Sequence, residues 1–168
     1  MSAWGAEVLE IDLATEADRI ATWMRDTTRG LRRRGLVVAM SGGIDSSVCA
    51  ALAVKAVGAE RVQGLLLPER DSSGESTRLG RRLAEHLGIR HEVHDIAPAL
   101  EAIGCYRERD AAIRQVFPDY GDGWKNKIVL HGGIDGGINF YKLVVQSPSG
   151  RTRGARLALG GYLRIVAA

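Results

Sequence analysis

Seven consecutive residues, Ser41-Gly42-Gly43-Ile44-Asp45-Ser46-Ser47, have the composition of a phosphate-binding turn. Glycines lack a Cβ atom, so their backbone N–H groups can approach an anion closely. Serine hydroxyls can cap a following helix or donate hydrogen bonds to phosphate oxygens. An aspartate among such donors repels an anion unless a cation lies between them, so Asp45 indicates a magnesium ion. The stretch therefore predicts a site for a polyphosphate and Mg²⁺.

The segments on either side of this loop are the ones that such a turn requires. Residues 36–40 are apolar throughout and predict a fully buried strand of a parallel sheet. Residues 46–57 predict a helix that apolar side chains surround almost completely, so we expect it to be well buried. A helix that begins at the serines adds unpaired N–H donors and the positive end of its dipole. Strand, turn and helix together favour a phosphate site over an ordinary turn.

Other glycine-rich motifs fit less well. A Walker A loop has lysine directly before its Ser/Thr, where this chain has Asp45. The G-x-G-x-x-G fingerprint is absent, and no glycine follows the serines at the offset of a nucleophile elbow. A near-repeat at residues 132–137 lacks the serines and precedes a strand-like run, so we expect a glycine-rich loop there without a phosphate.

Composition sets outer limits on function. The 168 residues suffice for one domain with a sizeable core, and 45% apolar and 26% charged residues are typical of a globular protein. A net charge of +3 fits anionic small molecules such as nucleotides as readily as it fits nucleic acid, although we do not expect nucleic acid as a partner. Cys49 and Cys105 form no C-x-x-C pair, which argues against zinc and disulfides. Without a signal peptide or a membrane span, the sequence predicts a cytoplasmic protein with no membrane partner.

Helix and strand patterns alternate around the loop. Thr15 with Asp18 predicts the start of a first helix. Ser72 with Glu75 predicts the start of another. The mostly apolar run at residues 62–67 predicts a second buried strand, and residues 91–96 predict a third, more polar one. The alternation indicates an α/β domain with a parallel sheet and flanking helices.

Two sets of arginines admit more than one interpretation. The run at residues 32–34 ends the first helix and either contacts phosphate or nucleic acid or is a solvated helix end, which is favoured. Arg78, Arg81 and Arg82 follow the second helix start, and one of them could reach a triphosphate.

The pattern changes after Pro118. Two short helices precede it, at residues 98–104 and 107–116. Beyond it, a short strand at 127–130 and two longer ones joined by a Ser-Pro-Ser-Gly turn predict a β-hairpin appendage. We therefore assign residues 1–118 to a nucleotide-binding α/β domain and 119–168 to a loop and β-hairpin insertion leading into a truncated helix.

The loop closely resembles the S-G-G-x-D-S pyrophosphate loop of the N-type ATP pyrophosphatases, which adenylate a substrate while splitting ATP into AMP and pyrophosphate. With the later strands, the Asp71-Ser72-Ser73 segment and the hairpin, the whole chain resembles ammonia-dependent NAD synthases. That resemblance implies an adenine-nucleotide alpha-hydrolase-like (Rossmann-like) sheet, incomplete at the C-terminus.

The resemblance also implies site residues and a reaction. The loop residues Ser41, Gly42, Gly43, Ile44, Ser46 and Ser47 would bind ATP, Asp45 would be a magnesium ligand, and Leu67 would contact adenine through its backbone. The family reaction adenylates deamido-NAD, and ammonia then gives NAD, AMP and pyrophosphate. The resemblance identifies no catalytic residue in this chain.

The family sequence continues beyond the point where this one stops. The continuation supplies a second magnesium-binding glutamate, a lysine toward the phosphates and most of the deamido-NAD site. In the family, later strands also pair with the loop strand and make it internal, so in this chain we expect that edge of the sheet to be unpaired and hydrophobic. We therefore expect this chain to correspond to the N-terminal part only, as a truncated frame, a fragment or half of a split enzyme. A homodimer or a missing C-terminal half is the implied protein partner.

Two alternatives remain open. One is another N-type ATP pyrophosphatase, acting on a different carboxylate or thiolating tRNA. A thiolating enzyme is expected to show catalytic cysteines and a more basic surface. The other is a nucleotide-binding remnant without catalysis.

Overall fold

The computed structural model describes residues 10–132 and 139–167. Most of the N-terminal lead-in and of the near-repeat at residues 132–137 lies outside these ranges. Contacts divide the chain into two compact units between Ile96 and Ala97. Each unit is described by itself below.

The N-terminal unit is an alternation of helices and strands, as the sequence predicts. Its strands form one parallel sheet in the order β1-β2-β3, with Leu36 opposite Val62 and Gln63 opposite Arg90. A single turn of 3-10 helix, Ala59–Arg61, leads into β2. The elements are α1 (Leu13–Gly30), β1 (Leu36–Ala39), α2 (Ile44–Val57), β2 (Val62–Leu66), α3 (Gly74–Leu87) and β3 (Arg90–Val93).

Two predicted helix starts are wrong by one or more residues. The carboxylate of Asp12, not Thr15, caps α1 and accepts hydrogen bonds from the N–H groups of Ala14 and Thr15. Ser73, not Ser72, caps α3 and accepts from the N–H of Ser76. Several neighbouring side chains can cap a helix in each segment, and the sequence pattern does not rank them.

The core of this unit lies on one face of the sheet. Alternate residues of β1 and β2, Leu36, Val38, Val62 and Leu66, pack with small residues of the helices. The buried helical residues in this cluster are Ala50, Ala53 and Ala84. Both α2 and α3 therefore cover the same face.

The predictions that β1 is fully buried and that α2 is well buried are both wrong. Val37, in the middle of β1, is 67% exposed, and the first residue of α2, Ile44, is 78% exposed. Within the described residues β1 pairs only with β2, so it is an edge strand whose second face no helix of this unit covers. An apolar run does not reveal which of its faces will find a partner.

The C-terminal unit contains a three-stranded antiparallel sheet in the order β4-β5-β6. The predicted hairpin is confirmed, with Gln146 opposite Thr152 and Gly150 at φ +85° in its turn. The predicted short strand pairs with β5 along its whole length. The elements are α4 (Ala97–Ala102), α5 (Cys105–Arg114), β4 (Lys125–His131), β5 (Phe140–Gln146), β6 (Thr152–Leu157) and α6 (Leu159–Val166).

Residues 97–118 group with this sheet rather than with the parallel one. Ile113 and Phe117 join the same buried cluster as Leu143 and Val145 of β5. The contact units thus divide earlier in the chain than our domain assignment, which remains a prediction. Among the described residues no helix has the length and apolarity needed to cross a membrane.

Candidate functional site

The predicted phosphate loop joins the carboxyl end of β1 to the start of α2. Gly43 is the N-cap residue of α2, with extended dihedral angles (φ −80°, ψ 165°), and no side chain caps this helix end. The N–H groups of the first turn are therefore available to a ligand, and the helix dipole favours an anion there. This is the geometry that the sequence predicts for the loop.

The loop serines hold it in shape. The hydroxyl of Ser46 lies 3.1 Å from that of Ser41 and donates to the carbonyl of Gly43 at 3.0 Å. The hydroxyl of Ser47 donates to the same carbonyl at 2.7 Å, and the N–H of Gly43 donates to Ser41 Oγ at 3.3 Å. These hydroxyls can exchange their internal acceptors for phosphate oxygens by rotation about χ1.

The two glycines of the loop have different constraints. Gly42 has φ +77°, and a Cβ atom there would lie 2.6 Å from the carbonyl oxygen of Ser76. Only glycine meets both demands without strain. A Cβ atom on Gly43 would meet only Ser41 Oγ, at 3.3 Å. Gly42 is therefore required by the fold, whereas Gly43 leaves the cradle open to a ligand.

A cavity of about 190 Å³ adjoins the loop where β1 and β2 end. Ser41 of the loop lines it, and so does Leu67, which directly follows β2. Leu67 is 40% exposed, and its N–H and carbonyl have no backbone hydrogen-bond partner within the described residues. Leu67 can therefore offer both groups to a ligand, as expected for a backbone contact to a purine.

Three lining residues were not predicted from the sequence. Ser72, Ser76 and Thr77 contribute hydroxyls from the start of α3 and the loop before it. The loop between β2 and α3 lies at the carboxyl ends of the strands. The first turn of α3 therefore lies beside the phosphate loop. The only sequence signal was the cluster of serines, which the helix cap explained just as well.

Asp45 is an exposed carboxylate in the first turn of α2. No group of three or more His, Cys, Asp or Glu side chains that could hold a metal lies in the described ranges 10–132 and 139–167. A single carboxylate fits Mg²⁺, which is commonly held by one or two carboxylates together with substrate phosphates and water. The residues present thus suit a magnesium ion that arrives with a polyphosphate.

Arg78, Arg81 and Arg82 of α3 do not line the cavity. Arg78 forms a bidentate ion pair with Glu75, and its hydrogen bonds lower the pKa of that carboxyl.

The loop and the hydroxyl-lined cavity together can hold the phosphates and the adjoining part of a nucleotide.

Comparison with known proteins matches the NAD synthase family to residues 16–116. The NH3-dependent NAD+ synthetase of Rhizobium meliloti (strain 1021) is 53% identical over 166 residues, which cover 98% of this chain and 50% of that protein. This chain therefore spans about half the length of that relative.

Two solved structures are similar. The NMN synthetase of Francisella tularensis has 26% identity and a TM-score of 0.53, over 65% of this chain and 50% of that one. The glutamine-dependent NAD+ synthetase of Acinetobacter baumannii, in complex with ADP, has 25% identity and a TM-score of 0.51, over 64% of this chain and 19% of that one. These likenesses confirm the predicted Rossmann-like adenine-nucleotide alpha-hydrolase fold.

Proposed function

Because the chain belongs to the NAD synthase family, we propose that it binds ATP and Mg²⁺ at the loop of residues 41–47 as part of an ATP-dependent amide ligase. The observation that carries this proposal is the uncapped start of α2 beside the cavity at the ends of β1 and β2. The loop N–H groups bind the phosphates, and the adenine meets the backbone of Leu67. The hydroxyls of Ser41, Ser46 and Ser47 complete the phosphate contacts.

The reaction we propose uses deamido-NAD and ammonia. An oxygen of the nicotinate carboxylate attacks the α-phosphorus of ATP, the bond to the β-phosphate oxygen breaks, and pyrophosphate leaves. Ammonia then attacks the acyl-adenylate carbonyl and loses a proton, giving the amide of NAD with AMP as the leaving group. The loop N–H groups stabilise the charge that accumulates on the departing pyrophosphate.

In this proposal Asp45 would hold the magnesium ion that arrives with the phosphates. When bound, Mg²⁺ neutralises part of the charge on the phosphate chain. Without the ion, the Asp45 carboxylate and the phosphates repel each other. ATP binding to this chain should therefore depend on magnesium through this one side chain.

The partners of the site are proposed from the family. We infer that the deamido-NAD site is completed by a second copy or by the half of the family length that this chain does not span. A cytoplasmic location suits the two cysteines, which are both free.

A titration with ATP tests the nucleotide site. Asp45→Ala should abolish the gain in affinity that Mg²⁺ gives the wild-type chain, and Gly43→Val should weaken binding in either condition by filling the cradle. Asp26→Ala, which removes an exposed carboxylate of α1, is the matched control and should bind as wild type. Equal ATP·Mg affinity for wild type and Asp45→Ala would contradict the metal assignment.

An amide-forming assay tests the reaction. We expect the 168-residue chain alone to release no NAD from ATP, deamido-NAD and ammonia, and to gain activity when the C-terminal half of the Rhizobium meliloti relative is co-expressed. Nicotinate mononucleotide is the second substrate to test, since one similar structure is named NMN synthetase. Family-like rates from the isolated chain would show that the site is complete.

A further inference from the structure

A second cavity, of about 660 Å³, lies at the opposite ends of the strands from the phosphate loop. The amino-terminal residues of β1 and β2 form part of its wall, with Val37 67% exposed. Four arginines from three separate segments line it, and we call it the arginine groove: Arg33, Arg34, Arg61 and Arg90. Its volume lies in the range of small-molecule sites, about 300–1,000 Å³.

The backbone is shaped to bring these arginines together. Arg32 has φ +53° and is the only non-glycine residue with positive φ in the described ranges. Its left-handed turn ends α1 and leads directly into Arg33 and Arg34. At Gly35 a Cβ atom would lie 2.2 Å from the carbonyl oxygen of Arg61, so glycine allows the two arginine-bearing segments to touch.

The end of α1 does not need these guanidinium groups. The N–H groups of Arg32 and Arg33 donate to the carbonyls of Arg29 and Thr28, which closes the helix through its own backbone. The end of α2 is served by Arg25, whose Nε donates to the carbonyl of Ala56 at 2.8 Å. Arg33 and Arg34 are exposed, as expected for a solvated helix end, and the helix closes without their side chains, so both guanidinium groups are available to a ligand.

The charges in the arginine groove are poorly compensated. Glu60 is the one acidic lining residue, and it lies 3.7 Å from Arg61. Arg90 donates to the Glu60 carbonyl at 3.4 Å. Arg33 and Arg34 form no ion pair or side-chain hydrogen bond within the residues that the structure describes. Four guanidinium groups around one cavity, with one carboxylate, attract a multivalent anion.

We propose that the arginine groove binds a polyphosphate chain, at a second site separate from the phosphate loop. Guanidinium groups recognise phosphate through paired N–H donors, which several phosphates in a row can occupy together. Free polyphosphate and the phosphate tail of a nucleotide share this chemistry.

Calorimetric titration of the full 168-residue chain with inorganic tripolyphosphate tests the proposal, at low salt and without magnesium. Arg34→Gln/Arg61→Gln removes two groove cations. Arg81→Gln/Arg82→Gln removes the same charge from exposed positions of α3 outside both cavities and is the matched control. Loss of the groove pair should weaken one binding event at least about tenfold, the size of one charge-assisted hydrogen bond, while the control pair should change it little.

Gly43→Val separates the two sites, because it blocks the phosphate loop and leaves the groove intact. In that variant tripolyphosphate binding should persist and should weaken as salt is raised. Titrations of this variant with tripolyphosphate and ATP then distinguish the two possible ligands. Equal affinity for both identifies the phosphate chain alone as the ligand, and tighter binding of ATP identifies a nucleotide. Equal binding by the groove pair and the control pair overturns the proposal, and it does so without bearing on the ATP site at the loop.

Discussion

The two units of this chain differ in the side chains that their helices bring to the core. In the parallel-sheet unit, alanine dominates the helical side of the core, with Ala50, Ala53 and Ala84 almost fully buried. In the antiparallel unit the buried residues are large, and aromatic and branched side chains fill the space between sheet and helices. Apart from Ala112, the buried cluster consists of Ile113, Phe117, Tyr120, Leu143, Val145, Leu157 and Ile165.

The difference reflects what each sheet has to do. Small residues let α2 and α3 approach the parallel strands closely, and Gly42 touches the backbone of α3 for the same reason. Close approach brings the start of α3 beside the predicted phosphate loop and forms the cavity there. In the antiparallel unit, large residues fill the core instead. Small-to-large substitutions should therefore destabilise the core of the parallel-sheet unit, and large-to-small substitutions should destabilise the core of the antiparallel unit.

Leu143→Ala should have the largest effect. The Leu143 side chain is fully buried, so its loss leaves a cavity and should destabilise the antiparallel unit by about 2–5 kcal/mol. Amide hydrogen exchange read separately for residues 10–96 and 97–167 checks this. Faster exchange confined to the second range is expected, and equal acceleration in both ranges would contradict two separate cores.

Ala53→Leu should have the next largest effect, now in the other unit. Ala53 has no exposed surface, so three added carbons overpack the core at an expected cost of about 1–3 kcal/mol. Ala51→Leu, on the exposed side of the same helix, is the control and should be nearly neutral. Denaturant unfolding measures both. If the two variants were equally stable, the small-residue core would not be tightly packed.

Turn residues should give a smaller effect of opposite sign in the two units. Arg32→Gly relieves a left-handed arginine and should stabilise the chain by about 1 kcal/mol, whereas Gly150→Ala places a side chain at φ +85° and should cost about as much. Thermal unfolding of the two variants tests the pair. A melting temperature that falls for Arg32→Gly would mean that the arginine makes a stabilising contact.

The smallest expected difference between the units is in how the stability of each depends on pH. The hydrogen bond from Arg153 lowers the pKa of Asp119, and Arg78 does the same to Glu75. A lowered pKa contributes stability above the ordinary carboxyl pKa, and the contribution is lost as pH falls through the lowered value. Asp119→Asn should therefore reduce stability at pH 6 and have less effect near pH 2.5.

The Asp119 pair should matter more than the Glu75 pair. Arg153 is held over the rings of Phe117 and Trp124, at 5.1 and 5.2 Å, so less side-chain entropy is lost when it binds the carboxylate. Glu75→Gln is the comparison variant. A larger loss of melting temperature for Glu75→Gln than for Asp119→Asn would reverse this ranking.

Much of this fold was predictable because its signals are local. The alternation of helix and strand, the turn at Gly42 and Gly43 and the hairpin around Gly150 follow from residues close in sequence. The helix caps were less predictable, since Asp12 competes with Thr15 and Ser73 with Ser72 for equivalent roles. The exposure of Val37 was not predictable at all, because it depends on what lies beside the strand.

The sequence by itself determined the turn of residues 41–47, since its glycines, serines and aspartate lie within seven consecutive residues. Only the tertiary structure decided which distant residues meet. The parallel crossover brings Leu67, Ser76 and Thr77 to the loop at one end of the strands. At the other end it gathers Arg34, Arg61 and Arg90, which no sequence interval connects. Spacing along the chain fixes local geometry, whereas proximity between segments depends on how the strands pair and which face the helices cover.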